Sequence, residues 1–203
     1  MTEPKLIPTS EKLIFIGMLG GPGSGKSSQC RLLAQTFKVE HVSVGDLLWA
    51  EMNREGSPHA ATIRGNMMEG TIGSKELTVG LLKSHIRQRL EHGMRAFIID
   101  GFPRDIVQLQ HFEVEVGALE CLIHLDCPNE TLMHRLSPRG RFDDQVETIR
   151  GRLRTFNTIT SEAIEYFRGE GKLKVLNGDQ AMEMVQEQLR GIIEGVAELR
   201  QTS

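Results

Sequence analysis

The sequence predicts a three-layer α/β fold, a five-stranded parallel sheet with helices on both faces. Three observations predict it. Short apolar runs alternate with amphipathic segments of helical length, hairpin signals are missing between them, and the first apolar run empties into a glycine-rich loop that opens a helix.

Bulk properties narrow the class. A chain of 203 residues is long enough for one well-buried core and short for two. Hydrophobic and charged contents of 39% and 25% are those of a soluble globular domain. A net charge of -3 argues against a broad nucleic-acid surface. No apolar run reaches membrane-spanning length and Met1 to Lys12 carries no signal-peptide core, so a cytoplasmic protein with neither membrane nor nucleic-acid partner is expected, as a monomer. Cys30, Cys121 and Cys127 are odd in number and lack C-x-x-C spacing, which suggests small buried packing groups rather than a disulfide framework or a zinc site.

Residues 1–12 read as a flexible arm and 13–203 as one domain. Leu13 to Leu19 is the first buried strand. Gly20 to Ser27 then fits G-x-x-x-x-G-K-[ST], and a helix runs to about Phe37. A buried strand feeding a glycine loop and a helix N-terminus turns backbone N–H groups and the positive dipole end toward one spot, which makes a polyphosphate cradle. Gly21, Pro22, Gly23, Ser24, Gly25, Lys26, Ser27 and Ser28 are its candidate binding residues. Lys26 supplies a mobile charge for β and γ phosphates, and Ser27 a hydroxyl for Mg²⁺.

His41 to Val44 is a second strand, and Gly45-Asp46 starts a helix with Leu47, Leu48 and Met52 as its apolar face. Gly56-Ser57-Pro58 breaks it, a short helix spans His59 to Gly70, and a loop follows. Ser74 reads as the N-cap of a helix to about His92, with Leu77, Leu81, Leu82 and Ile86 at helical spacing. Ala96 to Ile99 is a strand ending in Asp100, an acid at the carboxyl end of a parallel strand and so a water-mediated partner for Mg²⁺ beside the cradle. Cys121 to Asp126 is the fourth strand, with a helix from Asn129 to about Leu136. A basic loop, Ser137 to Asp144, precedes a long helix through Ile149, Leu153 and Phe156 to about Phe167. Leu173 to Asn177 is the last strand and Met182 to Leu199 the closing helix.

Gly-Gly-Pro-Gly-Ser-Gly-Lys-Ser-Ser-Gln-Cys, His-Val-Ser-Val-Gly-Asp-Leu-Leu, Phe-Ile-Ile-Asp-Gly-Phe-Pro-Arg and Gly-Arg-Phe-Asp-Asp occur in this order. In these motifs the chain resembles the adenylate kinase family from Leu13 to the C-terminus. The resemblance implies a P-loop NTPase fold with an insertion at about 44–73 that binds the monophosphate and a very short lid at about 137–143. It implies transfer of the γ-phosphoryl of MgATP to a nucleoside monophosphate. Lys26 then matches the cradle lysine, and Arg104 the arginine gripping the acceptor phosphate. Arg135, Arg141 and Arg152 match those around the transferring phosphoryl, with Arg139 a further candidate. Arg135 also contacts ATP, and Gly101 the acceptor. Asp143 and Asp144 resemble the acids that hold arginines at the lid base. Guanidinium forks suit this task because each donates to two phosphate oxygens at once.

The acceptor half departs from the family pattern. Trp49 stands where a second acceptor-phosphate arginine is usual, Val44 replaces a threonine facing the base, and Gly73-Ser74 replaces a Val-Pro pair. Gln108 matches the base-reading glutamine and favours adenine, so AMP is the expected acceptor. Asp105 stands where the similar uridylate/cytidylate kinases carry asparagine, and Glu162 replaces a proline in the last long helix. A pyrimidine or deoxynucleotide kinase, and an ATP-binding regulatory protein with impaired turnover, are the alternatives.

Overall fold

The computed structural model describes residues 13–136 and 145–201. The arm expected at 1–12 and the lid expected at 137–143, with Arg139, Arg141, Asp143 and Asp144, lie outside the described residues. Five parallel strands, β1 (Ile14–Gly20), β2 (Glu40–Ser43), β3 (Ala96–Asp100), β4 (Cys121–Asp126) and β5 (Leu173–Asn177), stand in the order β2-β3-β1-β4-β5. Alternating side chains send the two faces of the sheet into separate cores. Phe15, Phe97, Ile99 and Leu122 pack under α4 (Lys75–Glu91), α5 (Ile106–Glu115) and α8 (Ser161–Gly169). Ile16, Met18, Ile98 and Ile123 pack under α1 (Lys26–Thr36) and α9 (Met182–Gln201). That is the three-layer arrangement the alternation predicts, and among the described residues no helix is long and apolar enough to cross a membrane.

Element ends follow their local chemistry. Ser74 Oγ accepts from the Leu77 N–H at 3.2 Å and starts α4. The buried stripe of α4 is Val79, Leu82, Ile86 and Leu90, whereas Leu77 turns to a cavity. Val44, expected as the last residue of a strand, instead opens α2 (Val44–Asn53), because Ser43 Oγ accepts from the Asp46 N–H and caps the helix one residue earlier. Helix α3 (Ala60–Glu69) ends on Gly70 at φ 71°.

Two features differ from the sequence expectations. Residues 105–120, to which no element was assigned, hold α5, capped by Asp105 Oδ1 accepting from the Gln108 N–H at 2.6 Å. The long helix expected to about Phe167 is three pieces, α7 (Val146–Thr155), a π-helical turn at Phe156–Thr160, and α8. The π turn arises without a proline, and its Thr160 is buried while Phe156 lies on a cavity wall beside the cradle. Helix α6 (Asn129–Leu136) matches its expected limits.

Candidate functional site

The strand registers bring the chemistry to one edge. Met18 and Ser43 both pair with Asp100, so β2 and β3 end level with one another, and β1 runs two residues further before the glycine loop leaves it. Gly23 has φ 91° and a side chain there would meet the Leu132 carbonyl at 2.8 Å, so only glycine lets the loop turn this tightly. A cleft of about 490 Å³ opens at the loop, lined by Gly23, Gly25, Lys26, Ser27 and Ser28 of the loop and α1 and by Asp100, Gly101, Arg104, Arg135 and Arg152. Ser24 sits beneath, 3% exposed, with Oγ unpartnered, and Gly21 is buried against Leu132. Pro22 faces a small neighbouring cavity that Lys26, Arg104 and Arg152 also line.

The charges are coupled. Lys26 opens to the cleft but is otherwise enclosed, and this desolvation lowers its pKa to about 8; Asp100 partly opposes the shift, while Arg104 and Arg152 add to it. Asp100 is 3% exposed. Burial raises its pKa, but the hydrogen bond from His41, the Lys26 charge and the Ser27 hydroxyl outweigh that and hold the carboxyl below its usual value. His41 Nε2 donates to Asp100 Oδ2 across 3.2 Å. Arg104 Nε donates to the Gly101 carbonyl at 3.2 Å, and Arg135 Nη1 to the Gly178 carbonyl at 2.9 Å, so both guanidiniums are braced from behind.

A second cavity, about 100 Å³, adjoins the first, with Gly45, Arg104 and Arg152 common to both. Its walls are largely apolar, from Val44, Leu48, Trp49, Ile63, Ile72 and Leu77. Trp49 is 43% exposed on this wall and belongs to none of the core clusters. Gln108, 2% exposed, donates Nε2 to the Gly73 carbonyl at 3.2 Å and leaves Oε1 buried without a partner at the cavity wall.

Arg152 reaches all three cavities because two helices cross very closely. A side chain at Gly70 would meet Arg152 N at 2.5 Å, and one at Gly151 would meet the Glu69 carbonyl at 2.6 Å. Thr148 and Thr155, on α7, donate to the Met68 and Gly70 carbonyls at 2.9 and 2.7 Å, satisfying the open end of α3.

The sequence profile described as Adenylate kinase matches residues 18–172. The chain belongs to the adenylate kinase family. Uridylate kinase of Saccharomyces cerevisiae is 35% identical, covering 95% of each chain. Adenylate kinase 1 of Schistosoma mansoni is 37% identical over 91% of this chain and 93% of its own. UMP-CMP kinase 3 of Arabidopsis thaliana is 37% identical over 94% of each. In family terms the chain is a nucleoside monophosphate kinase, and the two adjoining cavities match an enzyme that must bring two phosphates together.

Of the expected site residues, Lys26, Arg104, Arg135 and Arg152 converge on the cleft at the glycine loop, whereas Arg141 lies outside the described residues. Arg150 pairs with Glu147 at 3.0 Å on the solvent face, and Arg154 is exposed. Arg54, which helical spacing turns away from the face of Trp49, is clamped to Glu51 by two hydrogen bonds of 2.8 Å. His41 and Arg31 escaped the sequence reading. Arg31 lines the cleft because it lies four residues after Ser27 on α1, a spacing that could have revealed it. No local pattern points from His41 to Asp100.

Proposed function

We propose that this kinase moves the γ-phosphoryl of ATP to AMP, with Mg²⁺ as cofactor. Lys26 and the N–H groups of the glycine loop would hold the donor β and γ phosphates. Arg135 would act beside them, and Arg104 would grip the acceptor phosphate. Arg152, and Arg141 from outside the described residues, would meet the transferring group. Charge spread over its equatorial oxygens would then be matched by the cations that line the cleft. No side-chain base is needed, because an anionic acceptor phosphate attacks directly once positioned. The Ser27 hydroxyl and, through water, the Asp100 carboxylate form an all-oxygen set suited to Mg²⁺, which keeps most of its own waters. When bound, the ion neutralises charge between the β and γ oxygens. Cys30, Cys121 and Cys127 form no disulfide, which fits work in the reducing cytoplasm.

One observation favours AMP over UMP and GMP. Gln108 Nε2 is committed to the Gly73 carbonyl, so the orphan Oε1 can only accept, and an exocyclic amino group answers it. Adenine and cytosine carry one; uracil and guanine present a carbonyl at that place. An unsatisfied buried acceptor costs about 1–3 kcal/mol, or roughly 5- to 150-fold in affinity. A second reading, a UMP/CMP kinase, is favoured by the uridylate and UMP-CMP kinases among the relatives. A coupled assay across AMP, CMP, UMP, GMP and dAMP with MgATP separates the two. AMP should show the highest kcat/KM; UMP at or above AMP would overturn the first reading.

A further inference from the structure

Cys30, His41 and Asp100 come from three different elements, α1, β2 and the end of β3, yet one ligand atom of each lies within 4.8 Å of the others. Cys30 and Asp100 are buried and His41 is nearly so, its side chain 12% exposed. The 3.2 Å between His41 Nε2 and Asp100 Oδ2 is close to the edge of about 3.3 Å that two ligands subtend at a tetrahedral Zn²⁺ with bonds near 2.0 Å. Thiolate, imidazole and carboxylate together form a softer set than the oxygen donors Mg²⁺ prefers. Asp100 also lines the phosphate cleft, which provides an entry path and leaves room for water as a fourth ligand.

We propose that Cys30, His41 and Asp100 form an inhibitory site for a thiophilic divalent cation, Zn²⁺ being the one tested. Binding forms a Zn–S bond and releases the Cys30 thiol proton to solvent. It also takes the Asp100 carboxylate away from the Ser27 hydroxyl and from its role beside the triphosphate.

Binding is read first on the nucleotide-free protein, so the result does not depend on which acceptor is used. Titration with Co²⁺ should produce a thiolate-to-cobalt charge-transfer band that Zn²⁺ abolishes by displacement. Cys30→Ala should remove the band, and Cys127→Ala, at a partly exposed thiol, should retain it. His41→Gln should weaken cobalt binding at least about tenfold, a loss that altering residues around a ligand already produces. In the kinase assay with excess MgATP, micromolar Zn²⁺ should inhibit reversibly upon chelation. Cys30→Ala, with its basal rate preserved, should raise the half-inhibiting concentration at least about tenfold. Because Zn²⁺ also binds ATP, inhibition equal in wild type and Cys30→Ala would overturn the proposal. An unchanged cobalt band in Cys30→Ala, or no band in the wild type, would do the same.

Discussion

Gly151→Ala tests whether the crossing of α3 and α7 sets the position of Arg152. The new methyl group would stand 2.6 Å from the Glu69 carbonyl, and ordinary contact begins at 3.4 Å, so the crossing must open by 3.4 − 2.6 = 0.8 Å. The obstacle is backbone, and no rotamer change relieves it. The same opening would stretch the Thr148 bond to Met68 from 2.9 to about 3.7 Å and the Thr155 bond to Gly70 from 2.7 to about 3.5 Å, at or past the useful limit. Two hydrogen bonds contribute roughly 1–3 kcal/mol together, offset by about 1 kcal/mol from replacing glycine inside a helix, for a net loss on the order of 1 kcal/mol. Catalysis should suffer more, because a cation displaced by nearly 1 Å from reacting groups can lower the rate by about a hundredfold. Steady-state kinetics with each substrate varied should show kcat reduced and acceptor KM raised, while ATP affinity changes little. Urea unfolding measures the stability loss. Wild-type kcat and acceptor KM in a folded Gly151→Ala protein would refute the link between the crossing and Arg152.

Trp49→Arg should lower acceptor KM by roughly ten- to a hundredfold, the worth of a charged hydrogen bond, with ATP affinity unaltered; an unmoved acceptor KM would show that position 49 does not meet the phosphate. Lys26→Met should nearly abolish turnover in the coupled assay, and retention of most activity would remove the cradle lysine from the mechanism. Lys26 has its pKa lowered to about 8, so in the nucleotide-free protein its charge is lost as pH rises past that value. The triphosphate favours the charged form, and ATP binding above about pH 8 should therefore take up protons. Calorimetry in buffers of different ionisation enthalpy measures the uptake; wild type and Lys26→Met taking up equal numbers at pH 9 would contradict the assignment. The same shift implies stability that rises from about pH 8 toward the unfolded value of 10.5, because the folded chain disfavours the ammonium and is relieved as it deprotonates. Lys26→Met should flatten that part of the stability profile in urea titrations.

Legibility in the sequence tracks the range of the interactions involved. Cys121 to Asp126 and Leu173 to Asn177 appear as strands within their expected limits, and Ser74 caps α4, because continuous apolar runs and a cap hydroxyl act within a few residues. Helix α5 was missed where the capping acid, Asp105, follows directly on the Gly-Phe-Pro-Arg motif and the apolar pattern is brief. The π turn at Phe156–Thr160 has no proline or glycine to announce it, and its buried Thr160 shows tertiary packing prevailing over local pattern. Arg54 was legible in part: helical spacing turns it away from the face of Trp49, and the clamp to Glu51 adds where it points.

By itself the chain of amino acids determined the alternation of strands and helices, the glycine loop that can surround phosphates, and the cations available to meet them. Each depends on backbone preference or side-chain type over a short span. Tertiary structure alone decided that β2 lies beside β3, that His41 therefore meets Asp100 near Cys30, and that Gly70 and Gly151 let Arg152 reach three cavities. Those relations join residues tens of positions apart, where close packing and strand register, rather than local propensity, choose the neighbours.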